Sequence, residues 1–169
     1  MENKKALVRT RSIALAAVLA ALYAAGVYFF APISFQVVQV RVADALLPLS
    51  IIFGPPAIAG LGLGVFLGNF SSPFSLGPID IVGGTIANIV ATSAAWLIGR
   101  RYFAGARVTA IIAEILVITL IDGSYLSYLT DTPLLLSWVY VAAGEAIAVG
   151  FGGFALLTAI DRVFSGKFA

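Results

Sequence analysis

The sequence predicts an all-α polytopic membrane protein, and three observations carry that prediction. Of its 169 residues, 61% are apolar and only 11% charged, against roughly 25% charged in soluble domains. Mean hydropathy is +1.06, and the apolar residues fall in repeated runs of about 20, the length that crosses a bilayer. Histidine and cysteine are both absent. That removes disulfides, thiol nucleophiles, the commonest transition-metal ligands and the usual general base. Neither an enzyme nor a metal or cofactor site is expected, and a net charge of +2 gives no basis for a nucleic-acid partner.

The breaks between apolar runs predict six helices in a compact bundle, forming a single membrane domain over residues 1–169. The first helix covers about 12–31. Lys4, Lys5, Arg9 and Arg11 precede it as they would a signal peptide, but the run is long enough to span and no clear cleavage site follows, so it is read as retained. Pro32 is expected to end it, with a loop over 32–41. The second helix, 42–53, is too short to cross a ~30 Å core upright, and Pro48 interrupts it. Gly54-Pro55-Pro56 makes a tight turn into a third helix over 57–70 with glycine at 60, 62, 64 and 68. Short or glycine- and proline-interrupted helices tend to lie near binding sites in membrane proteins. A turn-rich loop from Ser71 to Pro78 leads to the fourth helix, 79–98, which stops at Gly99-Arg100-Arg101. The fifth covers 108–129, with Asp122-Gly123-Ser124 as an end or a break. The sixth covers 134–160, and a short polar tail follows.

Six spans put Lys4, Lys5, Arg9, Arg11, Arg100, Arg101, Arg107, Arg162 and Lys167 on one side, which the positive-inside rule makes cytoplasmic together with both termini. Arg41 alone faces outward. It sits in Gln36-Val-Val-Gln39-Val-Arg41-Val-Ala-Asp44, a polar stretch between long apolar runs. Its spacing to Asp44 suits either an ion pair closing the start of helix 2 or one wall of a ligand pocket, with Gln36 and Gln39 supplying amides. Asp80 stands where a helix N-cap belongs. Asn69, Thr85 and Asn88 either bridge helices or line the pocket. Glu114 and Glu145 fall within helices, where a carboxylate usually faces a cavity or a partner. Trp138, Tyr140 and Tyr125 suit an interfacial belt or stacking on a planar ligand. On helix 1, Ala16, Ala20 and Ala24 form one small-residue ridge, and Ala17, Ala21 and Ala25 a second, for packing within the chain or against a partner.

Taken in order, Gln39-Val-Arg41-Val-Ala-Asp44-Ala-Leu46 with Pro48, Gly60 to Gly68-Asn69, Gly77-Pro-Ile-Asp80-Ile-Val-Gly83 and Gly144-Glu145 resemble the substrate-binding (S) component of energy-coupling factor (ECF) transporters. More narrowly they resemble the QueT, queuosine-precursor transporter family. Asp44, in place of an expected glutamate, and Glu114, near an expected asparagine, depart from that pattern. The resemblance implies a non-catalytic subunit of the plasma membrane that captures a deazaguanine-type base. It also implies docking through Ala16, Ala17, Ala20, Ala21 and Ala24 onto a transmembrane T component bound to two cytoplasmic ATPases. The chain has no phosphate-binding glycine-lysine motif of its own. On the same basis Glu145, or failing that Asp80, meets the amino-pyrimidine edge, and Asp44 meets a substituent amine. Arg41 and Gln39 hold a carbonyl or ring nitrogen, Asn69 and Asn88 add contacts, and Trp138 or Tyr125 stacks. The competing expectation is an ion-coupled carrier of a small polar metabolite, with Glu114 and Glu145 as the titrating groups.

Overall fold

A computed structural model describes residues 2–34, 40–101 and 104–168, with side chains described over 7–32, 40–101 and 104–163. Gln36 and Gln39 lie outside the described residues. Every regular element among those described is helical: α1 (Glu2–Phe29), α2 (Ala31–Ser34), a 3₁₀ segment (Val42–Leu49) that runs into α3 (Ser50–Phe53), α4 (Pro55–Ser71), α5 (Pro78–Gly99), α6 (Ala106–Leu129), α7 (Leu134–Glu145), a π segment (Ala146–Gly153) and α8 (Phe154–Phe168).

Several boundaries differ from expectation. α1 begins at Glu2 and ends at Phe29; Pro32 lies inside α2, near its start, where a missing N–H is no loss. Asp122-Gly123-Ser124 neither ends nor breaks α6. The last helix is not a uniform α-helix, since it widens to π geometry directly after Glu145, and its helical path continues through the expected polar tail to Phe168.

Four stretches are long and apolar enough to cross a membrane: Leu7–Phe29, Pro78–Gly99, Ala106–Leu129 and Leu134–Val163. Only 22–39% of each window is buried inside the protein, so most of the apolar surface faces outward. α6 shows the pattern most clearly. Val108, Ile112, Leu116 and Leu120 form an exposed stripe, while Ala110, Glu114, Ile118, Asp122 and Leu126 are buried on the opposite face. Both stripes repeat every four residues, as one face of an α-helix does. The chain is apolar outside and partly charged inside, an arrangement that suits lipid as the solvent.

α1 packs along α4, α4 along α5, α5 along α6 and α6 along α7. The α1–α4 contact depends on missing side chains. A Cβ on Gly60 would lie 2.4 Å from the Ala16 carbonyl oxygen, and one on Gly64 would lie 2.9 Å from that of Ala20. One alanine ridge of α1 therefore seats Ala16 and Ala20 on the glycine stripe of α4, close enough for backbone-to-backbone dispersion contact. Further along, Gly68 receives the Val27 side chain, so the two helices run parallel. Ala17, Ala21 and Ala25, the other ridge, remain exposed.

The 3₁₀ segment occupies the centre, touching α1, α4, α5, α6, α8 and the π segment. Its Ala43, Asp44, Leu47, Pro48 and Leu49 are buried. Pro48 explains part of its geometry, because a proline ring collides with the carbonyl four residues earlier in an α-helix. The tighter 3₁₀ winding rises ~2.0 Å per residue, so twelve residues from Val42 to Phe53 cover about 22 Å. Gly153 of the π segment receives the Pro48 ring, whose Cγ would lie 2.7 Å from a Cβ there. The two irregular helices are thus packed on each other, and Asp44 of the first and Glu145, the residue just before the second, are both buried at the centre.

Candidate functional site

Three tiers of buried polar groups surround the 3₁₀ segment. The first gathers around Arg41, whose extended backbone precedes the segment and whose carbonyl accepts the Asp44 N–H at 2.8 Å. The guanidinium is 3% exposed and faces two carboxylates, with Nη2 3.3 Å from Asp80 Oδ1 and Nη1 3.6 Å from Asp122 Oδ2.

Asp80 is held from several directions. Its Oδ1 also accepts the Tyr125 hydroxyl at 3.1 Å, and its Oδ2 accepts Ser75 Oγ and the Leu76 N–H, each at 3.2 Å. Gly77, not Asp80, occupies the N-cap of α5. Asp80 lies in the first turn, and its carboxylate reaches back over the helix start, where negative charge is favoured. Asn69, near the end of α4, donates Nδ2 to the Asp80 carbonyl at 3.4 Å. Gly84 makes room for the convergence. A Cβ there would lie 3.0 Å from Asn69 Nδ2 and 3.3 Å from both Arg41 Nη1 and the Tyr125 hydroxyl.

The second tier pairs the two irregular segments. Asp44, fully buried, takes the hydroxyl of Tyr23 from α1. Its carboxyl faces that of Glu145 within side-chain hydrogen-bonding reach. Glu145 is the last residue before the π segment and is 2% exposed. Glu114 forms the third tier, two turns below Asp122 on the same face of α6, with the Ser50 hydroxyl beside it. Neither Glu114 oxygen has a hydrogen-bond partner of ordinary geometry among the described residues.

The same holds for five further buried acceptors: Asp44 Oδ2, Asp122 Oδ1, Glu145 Oε2, Asn69 Oδ1 and Asn88 Oδ1. A buried polar atom left unpaired costs about 1–3 kcal/mol, so native proteins rarely leave several together. The upper two tiers hold one guanidinium and four carboxyl groups, and the guanidinium pairs with only two of them. The imbalance calls for donors, which a bound molecule or protons can bring. Among the described residues no group of three or more His, Cys, Asp and Glu is arranged to hold a metal ion.

Of the residues singled out from sequence, the structure gathers Arg41, Asp44, Asn69, Asp80 and Glu145 here, with Asn88 buried one turn below Gly84 on α5. Gln39 lies outside the described residues. Trp138 sits at the α6–α7 seam. Its ring covers Gly123, and its Nε1 donates to the Ser124 hydroxyl at 3.2 Å. Thr85 turns back to its own helix, donating to the Ile81 carbonyl at 2.7 Å. Two contributors were missed. Tyr23 continues the face of α1 that carries Ala16 and Ala20, a helical spacing visible in the sequence. Asp122 follows Glu114 by eight residues, two turns on one face, but its neighbours Gly123 and Ser124 suggested a helix end.

Searches of curated proteins and of solved structures returned no match. The QueT transporter family matches residues 13–162, nearly the whole of the helical bundle just described. Apolar spans around a buried polar centre are what a transport protein of the membrane requires, and with that match the chain belongs to the QueT transporter family.

Proposed function

We propose that this protein is the substrate-capturing S component of an ECF-type importer and that it binds a deazaguanine-type queuosine precursor among Arg41, Asp44, Asp80, Asn69, Asn88 and Glu145. The observation that carries the reading is the set of unpaired, fully buried acceptors on Asp44, Asp122, Glu145, Asn69 and Asn88. A base of this class offers adjacent ring and amino N–H donors, which a carboxylate accepts in pairs. Glu145 is the acceptor for that edge, Asp44 takes a substituent amine, and Arg41 with Gln39 donates to a carbonyl or ring nitrogen. Tyr125 or Trp138 supplies the aromatic face.

The family match supports extending the proposal to topology and partners. The chain is one membrane domain of six passes with both termini cytoplasmic. The parallel run of α1 and α4, with the short 3₁₀–α3 stretch returning between them, supports that count. Of the five alanines expected to dock, Ala16 and Ala20 are taken up by α4, so the exposed Ala17 and Ala21 lead the contact with the T component, and two partner ATPases supply the energy. Mass spectrometry of small molecules co-purifying with the detergent-solubilised protein tests the substrate: a queuosine-precursor base is expected, and a chemically unrelated metabolite would overturn the assignment.

The unpaired Glu114 carboxyl favours one second reading, an ion-coupled carrier. Uptake that survives ATP depletion but collapses with an uncoupler would select it over the importer.

A further inference from the structure

The other end of α5 carries a feature that the buried cluster does not use. Gly99 lies 19 residues beyond Asp80, about 28 Å along the helix axis at 1.5 Å per residue. There a cleft of about 730 Å³ opens between the end of α5, the start of α6, α3 and α8. Arg100, Arg101, Arg107 and Asp161 line it, with Ile51 and Ile52 as an apolar floor.

The cations are arranged rather than scattered. Arg107 is spent on Asp161 in a two-pronged pair, at 2.5 and 3.0 Å. Arg100 is held with its guanidinium 4.7 Å from the centre of the Trp96 ring. Arg101 is exposed and has no carboxylate partner among the described residues. The first intrahelical bond of α6 is that of Thr109 to the Gly105 carbonyl, so the N–H groups of residues 106–108 at the cleft wall have no acceptor within the helix. Three arginines and one aspartate leave an excess of two positive charges, to which the helix start adds its own positive end. Arginines that only set topology need neither a cavity nor a fixed position.

The cleft also has an apolar exit. Val108 belongs both to its lining and to the exposed stripe that continues through Ile112, Leu116 and Leu120. A soluble anion has no use for that continuity, whereas a lipid has: its phosphate is attracted to the cationic wall while an acyl chain follows the stripe.

We propose that this cleft is a binding site for a phosphate-bearing anion, and that its occupant is the headgroup of an anionic phospholipid. The phosphate faces Arg100, Arg101 and the first turn of α6, and an acyl chain runs outward over Val108 and Ile112.

The test is native mass spectrometry and thermal melting of the purified protein after exchange into mixed micelles containing phosphatidylglycerol or phosphatidylcholine. The wild type is expected to retain phosphatidylglycerol selectively and to melt higher with it. R100Q/R101Q is expected to lose that preference, by about fivefold per arginine removed, while R9Q/R11Q keeps it. Arg9 and Arg11 belong to the same end of the bundle, since α1 and α4 run parallel, so they control for general attraction. Should the double variant fail to fold, R101Q alone must show a partial loss and R101K must restore it. An undiminished preference in folded R100Q/R101Q or R101Q, or an equal loss in R9Q/R11Q, would overturn the site. Equal protection by inorganic phosphate or glycerol phosphate without lipid would overturn the lipid as its occupant.

Discussion

Tyr23 on α1 donates its hydroxyl to Asp44 on the 3₁₀ segment, so the first helix is tied directly to the residue at the middle of the polar centre. Tyr23 is fully buried, and its Cβ would lie 2.7 Å from one placed on Gly64. The helix that carries the exposed alanine ridge therefore also positions a carboxylate of the candidate site. Tyr23→Phe removes the donor and keeps the ring. A hydrogen bond to a charged group contributes about 1.5–3 kcal/mol to stability, so the variant is expected to melt lower and, with Asp44 no longer held in place, to bind the queuosine-precursor base more weakly. Isothermal titration of the purified variant checks this, and unchanged affinity would remove Asp44 from the site or Tyr23 from its support.

Arg41 gives a second prediction, on stability. Arg41→Gln leaves Asp80 and Asp122 facing each other without the guanidinium between them. Removing one partner of a buried charge group costs about 3–5 kcal/mol. Arg41→Lys keeps the charge but not the planar fork that reaches two carboxylates at once. Melting in detergent is expected to rank wild type above Arg41→Lys and Arg41→Lys above Arg41→Gln. Equal melting of all three would show that Asp80 and Asp122 do not depend on Arg41.

The two alanine ridges of α1 allow folding to be tested apart from the proposed docking. Gly60→Leu places side-chain carbons where the Ala16 backbone lies, and overpacking of this kind costs about 1–3 kcal/mol or more. It is expected to reduce the yield of monodisperse protein. Ala17→Leu adds bulk on the exposed ridge. It is expected to melt and bind ligand as the wild type does while abolishing uptake in cells that also make the T component and ATPases. Normal uptake by Ala17→Leu would place the docking face elsewhere.

The membrane architecture and the polar residues of the centre were legible in the sequence for a simple reason: in so apolar a chain, each charge within a run must be accommodated. Arg41, Asp44 and Glu145 stood out on that ground, whereas Asp80 suited a helix N-cap and joined them through the family resemblance. Their pairing was less legible. The close spacing of Arg41 and Asp44 suited a local ion pair or a pocket wall, whereas the guanidinium reaches Asp80 and Asp122 across the bundle, contacts that only helix packing creates. The π segment gave little warning either. Pro48 lies against Gly153 inside it, and proline and glycine meet there only in three dimensions. Asp122 was hidden by its neighbours, because a glycine and a serine after an aspartate resemble a helix end when read alone.

Glu145 offers the most direct test of the central claim, that the buried cluster binds the substrate. Glu145→Gln keeps the shape and replaces an acceptor oxygen with a donor. Truncating one partner of a buried, charged hydrogen bond costs about 2–5 kcal/mol, which corresponds to at least about thirtyfold in affinity. Isothermal titration of the purified variant with a queuosine-precursor base is expected to show that loss, with melting of the unliganded protein close to wild type. Wild-type affinity in folded Glu145→Gln would contradict the account.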